Sequence, residues 1–81
     1  MQLAMAVDVN RLVGYEMDRL TFEERLALTG KWVAFEIYTP RTLPIRRIEA
    51  VGDSPAECAR GLAARGLEVA KFEFSRVTPP Y

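Results

Sequence analysis

The chain has no histidine and only one cysteine among its 81 residues, and these two scarcities exclude more chemistry than any residue present suggests. Without histidine there is no imidazole to activate a serine or cysteine nucleophile, and no Cys/His set to hold zinc. The single thiol, Cys58, cannot close an internal disulfide, which points to a reducing, cytoplasmic setting. No apolar run approaches the roughly 20 residues that cross a bilayer. The opening run MQLAMAV ends at Asp8 and lacks the basic leader and long apolar core of a secretion signal. Neither sign of charge is in excess: 11 basic residues balance 11 acidic ones. A net charge of zero gives no general attraction to nucleic acid or to an anionic membrane. Residues 1–30 hold five acids (Asp8, Glu16, Asp18, Glu23, Glu24) and three arginines, and residues 31–81 hold eight bases and six acids. The resulting imbalances of −2 and +2 are too small to name a partner.

What is present describes one small globular domain over residues 1–81, with 49% hydrophobic and 27% charged residues. A chain of this length buries only about 60 to 65% of its unfolded surface, so its stability is marginal and a homodimer is expected.

The pattern changes at Gly30. Before it, Leu12, Val13, Met17 and Leu20 recur at spacings of three and four, which predicts an amphipathic helix over residues 9–20, although Gly14 interrupts it. Thr21 followed by Glu24 can close a capping box and start a second helix through Leu28, with Gly30 as its stop. After Gly30 the period is two. In residues 31–39, Val33, Phe35 and Ile37 form one apolar face, and Trp32, Ala34, Glu36 and Tyr38 the other. Proline at 40 and 44 cannot continue a ladder, so the chain turns there and re-enters a strand over residues 45–51. A third strand is predicted over residues 69–77, with Ala70, Phe72 and Phe74 on one face and Lys71, Glu73 and Ser75 on the other. Residues 78–81 read as a tail.

Between the second and third strands, the stretch GDSPAEC places Asp53, Ser54, Glu57 and Cys58 within seven residues. Helix initiation accounts for each of them. Ser54 is a favoured N-cap, Pro55 suits the first helical position, and Glu57 stands where a capping box needs it. Gly66 suits the left-handed position after a helix over residues 55–65, with Leu67 placed to meet Leu62. Cys58, Ala59, Leu62 and Ala63 then form the apolar side. A nucleophilic Cys58 or Ser54 would need a base, and only Asp53 and Glu57 are near, neither basic enough unless its pKa were raised. The stretch therefore reads as a capped helix. No enzyme, cofactor, metal or small-molecule substrate is implied.

A possible partner-binding surface remains. Trp32 and Tyr38, with Arg41, Arg46 and Arg47, could stack and pair with nucleic-acid bases. The competing reading covers the aromatics with the helices of residues 9–28 and pairs the arginines with Glu36 and Glu49 across strands.

From Gly30 to Arg76, the segments GKWVAFEIY, RRIEAVGDSPAEC, ARGLE and FEF resemble a small bacterial domain type of unknown function. Its recurring features are a GKWVA opening strand and a glycine, an acid, a hydroxyl and one or more glutamates at the helix start. The order of strand, turn, capped helix and strand is also similar to the antitoxin HicB, whose partial ribonuclease-H-like sheet binds a toxin. The likeness to HicB implies a sheet that binds a toxin partner, and no functional residue is carried over from either family.

The expected architecture is α+β: one or two N-terminal helices within residues 1–30, then a β-β-α-β unit over residues 31–77. A right-handed crossover gives a three-stranded sheet in the order 2-1-3, with both outer strands presenting open edges. The expected function is a non-enzymatic protein-interaction or regulatory module, with a HicB-like antitoxin or nucleic-acid-linked module as the alternative.

Overall fold

The computed structural model describes residues 7–37 and 46–79. The turn expected at 40–44, with Tyr38 and Arg41, lies outside the described residues. Three strands, β1 (Trp32–Glu36), β2 (Ile48–Gly52) and β3 (Phe72–Arg76), form an antiparallel sheet in the order β2-β1-β3. Helix α1 (Phe22–Leu28) precedes the sheet and helix α2 (Pro55–Ala64) connects β2 to β3. The fold is the α+β arrangement that the change of period at Gly30 predicts.

Two apolar clusters lie on opposite faces of the sheet. On one, Val33 and Phe35 of β1 pack with Ile48, Val77, Leu12, Leu20 and Leu28. On the other, Ala34 and Ala50 pack under Cys58 and Leu62 of α2, with Trp32, Phe72 and Phe74 around them. Full burial of a side chain such as Val33, Phe35 or Ile48 stabilises by about 1.5 to 3 kcal/mol. With β1 central, its two faces supply both clusters.

The register of β2 depends on a bulge. Ala34 faces Ala50, but Phe35 faces Ile48, so Glu49 has no opposite number. Strict alternation would put Ile48 and Ala50 on one face. The extra residue sends Ile48 to the α1 side and leaves Ala50 beneath α2.

Helix α2 has the N-cap and the C-terminal ending its sequence encodes, but the expected capping box does not close, because the Glu57 carboxylate accepts from the Asp53 amide instead of the Ser54 amide. The Ser54 hydroxyl accepts from the Glu57 amide (3.2 Å), and Pro55 occupies the first turn. At the other end, Leu67 N–H donates to Leu62 O (3.0 Å) and Gly66 N–H to Ala63 O (2.9 Å), with Gly66 at φ 76°. These two bonds make a Schellman ending. Cys58 and Leu62 are buried, but Ala63 is exposed, so the apolar side is narrower than expected. Thr21 and Glu24 form the expected capping box for α1.

The helix expected over residues 9–20 does not form. In its place stand two short 3₁₀ turns, Val9–Leu12 and Met17–Arg19, separated by Gly14 at φ 96°. The intervening backbone is bonded elsewhere. Gly14 N–H donates to Ile48 O (2.7 Å), Ile48 N–H to Tyr15 O (2.9 Å), and Met17 N–H to Arg46 O (2.7 Å). Pairing with β2 satisfies the groups a continuous helix would have bonded internally. Strand boundaries also shift, and Arg46 and Arg47 precede β2 instead of belonging to it. A third 3₁₀ turn, Val69–Lys71, precedes β3, and Ile37, expected in the core, is 44% exposed beyond the end of β1.

Candidate functional site

The two outer strands differ in what they leave open. The β2 edge, expected to be open, is covered at Arg46 to Ile48 by residues 14–17, with Glu16 bridging Arg47 in antiparallel fashion. Beyond these residues, the Arg65 guanidinium donates to the Glu49 carbonyl at 2.7 Å. The β3 edge has no such cover among the described residues. Ile37 N–H donates to Lys71 O (2.8 Å) and Val77 N–H to Lys31 O (2.9 Å), so Lys71 and Val77 turn their polar groups toward β1. By the alternation of an antiparallel ladder, Phe74 and Arg76 turn their amides and carbonyls outward. The Phe72 amide is taken by Val69 O, closing the 3₁₀ turn.

Trp32 and Arg46 stand on opposite faces of the sheet. Trp32 is half-buried against the α2 cluster, and its carbonyl accepts from the Cys58 thiol at 3.3 Å. Its cover is therefore α2 and not residues 9–28, because the alternation of β1 gives the N-terminal segment Val33 and Phe35 instead. Arg46 lies over the Phe35 ring, its guanidinium carbon 4.6 Å from the centroid. Arg47 is exposed. Glu49, expected opposite an arginine of its own hairpin, pairs with Arg65 at 3.3 Å.

Cys58 is fully buried, and burial, together with the Glu57 carboxylate, pushes its thiol pKa up. A buried protonated thiol bonded to a carbonyl is a structural group and a poor nucleophile. Lys31 pairs with Asp53 at 2.6 Å, and this hydrogen bond and charge raise the lysine pKa. Among the described residues no three Cys, Asp or Glu side chains come together as a metal site. No helix among them is long and apolar enough to cross a membrane.

On the α1 side of the sheet lies a cleft of about 270 Å³, floored by Val33, Phe35 and Val77. Arg25 of α1, Arg46, Asp18 and Ser75 line it, with Arg76 and Thr78 toward the β3 end. Arg25 is absent from the surface read out of the sequence, and no spacing could have found it. It stands 21 positions before Arg46, and packing alone brings the two to one cleft.

Comparison with known protein families, curated proteins and solved structures returns no match to this chain.

Proposed function

We propose that the protein is a non-enzymatic interaction module that self-associates by pairing its β3 edge with that of a second copy. The observation that supports this reading is the asymmetry of the sheet: residues 14–17 and Arg65 cover the β2 edge from Arg46 to Glu49, while the outward groups of Phe74 and Arg76 have no partner strand among the described residues. An open edge is a template for another strand, and proteins that avoid such pairing blunt it. Leu26, 50% exposed, and Phe22, 62% exposed, lie one turn apart on α1 and offer apolar surface to the same kind of partner. A domain of this size buries only about 60 to 65% of its unfolded surface, so surface buried between subunits would add to a marginal stability.

Sedimentation equilibrium tests the reading. A mass above 9.2 kDa is expected at micromolar concentration. The 9.2 kDa monomer mass persisting to about 100 micromolar, well above a Kd of about 1 micromolar (−8.2 kcal/mol), overturns it. The likeness to HicB gives this edge a different occupant, a toxin chain, and a stoichiometric heterocomplex in place of the homodimer would favour that version. Oligonucleotide binding with a steep salt dependence would favour the nucleic-acid-linked alternative.

A further inference from the structure

We infer that the cleft between α1 and the β1–β3 ladder is a binding site for a phosphate group. The inference rests on two guanidinium groups that are held in place and have no carboxylate partner among the described residues. Arg25 donates from Nη2 to Met17 O (3.2 Å) and from Nε to Leu20 O (3.4 Å), which fixes the fork and leaves Nη1 and one Nη2 hydrogen unused. Arg46 is exposed, and its guanidinium carbon lies 4.6 Å from the centroid of the Phe35 ring, a cation–π contact that keeps the group at this face of the sheet. Each lines the cleft, and neither belongs to any of the four ion pairs among the described residues.

Val33, Phe35 and Val77 back the cleft, whose exposed lining is mainly polar and open to solvent. Asp18 is the one carboxylate lining the cleft, and it is exposed. Guanidinium groups anchored before a ligand arrives lose less side-chain freedom on binding it.

Size and donor arrangement select the ligand class. A cleft of about 270 Å³ has the volume of roughly nine waters and lies just below the range of whole-cofactor pockets. It takes an ion, or the anionic end of a larger molecule. The donors come from separate elements: Arg25 from α1, Arg46 from the approach to β2, and the Ser75 hydroxyl from β3. A carboxylate has two coplanar oxygens and is satisfied by one fork, whereas a phosphate has three or four oxygens spread in three dimensions. Phosphate suits a cleft lined by donors from separate elements.

The test is an amide chemical-shift titration of the intact chain with inorganic phosphate, O-phosphoserine and acetate at matched low ionic strength. Saturable shifts at Ser75 and Val77 with both phosphates, and not with acetate, are expected. Arg46→Gln should weaken binding about tenfold through loss of a charge-assisted bond, and Arg25→Lys, which keeps the charge but not the fork, should weaken it as well. Tighter binding of phosphoserine supports a phosphate presented on another molecule, and tighter binding of inorganic phosphate supports the free ion. Arg60→Gln, on the exposed side of α2, is the control for general ionic effects. Shifts that do not saturate, equal saturation by acetate, or equal weakening by Arg60→Gln overturn the site. The titration reads ligand saturation and sedimentation reads mass, so failure of the phosphate site and failure of β3-edge pairing are distinguishable.

Discussion

The Glu57 carboxylate accepts the backbone amide of Asp53 at 3.0 Å, one residue before the Ser54 N-cap that its own amide bonds. In a capping box the returning bond goes to the N-cap amide, as it does from Glu24 to Thr21 (2.8 Å). At α2 the bond reaches one residue further and ties the end of β2 to the helix start. Ser54→Ala should lower stability by about 1 kcal/mol and leave self-association of the folded protein intact. Loss of association at an unchanged melting temperature would count against a purely capping role.

Gly52 is the second fastening between β2 and α2. A Cβ built there would stand 2.7 Å from Glu57 Cβ and 3.2 Å from the Cys58 amide nitrogen. Its backbone φ is ordinary, so the requirement is for close approach. Gly52→Ala should therefore destabilise by about 1 to 3 kcal/mol through overpacking, measured by urea denaturation. Gly61→Ala, whose Cβ would find its nearest neighbour at 3.8 Å, should cost nothing and serves as the control.

The Cys58 thiol should resist a thiol reagent in the native state and react on unfolding, since it is fully buried and bonded to Trp32 O. Its pKa is raised in the fold, so the native state holds this proton to higher pH than the unfolded chain. The associated stability is intact below the ordinary thiol range of about 8.5, and is lost as pH rises from there through the folded value. Cys58→Ala should flatten that alkaline decline in a series of pH-dependent melts. Fast stoichiometric labelling of the folded protein would contradict the assignment.

Arg76→Pro tests the β3 edge directly. Proline is tolerated in an edge strand where the lost amide faces outward, and the Arg76 amide does so. The variant should remain folded by circular dichroism, yet sediment at 9.2 kDa at concentrations where the proposed dimer of the parent forms. An unchanged association constant would move the interface away from β3, with Phe22 and Leu26 of α1 the next surface to alter.

Local signals survived folding where their bonds are local. Thr21 with Glu24, Ser54 with Pro55, and Gly66 with Leu67 each satisfy helix-end groups within a few residues, so the termini of α1 and α2 can be read directly from the chain. The strand order also follows from short-range constraints, since a hairpin and one crossover leave few arrangements for three strands. The segment before Thr21 behaves differently. Its spacing of Leu12, Val13, Met17 and Leu20 matches a helix, but Gly14 to Met17 gain hydrogen bonds from residues more than 28 positions away. Periodicity reports which side chains seek burial, and it carries no record of which distant backbone will satisfy the polar groups.

The candidate surfaces depend on the same distant contacts. From sequence alone the chain determined its α+β class, its capped helices, the central place of β1, and the absence of any imidazole or internal disulfide, because these follow from residue identity and nearby spacing. Tertiary structure alone decided three things: which edge of the sheet stays open, which face Ile48 joins, and that Arg25 shares a cleft with Arg46. Each depends on a pairing that spans many residues. The bulge at Glu49 is one such pairing: a single unpaired residue reverses the face of every side chain before it, and alternation read along one strand cannot reveal where that residue falls.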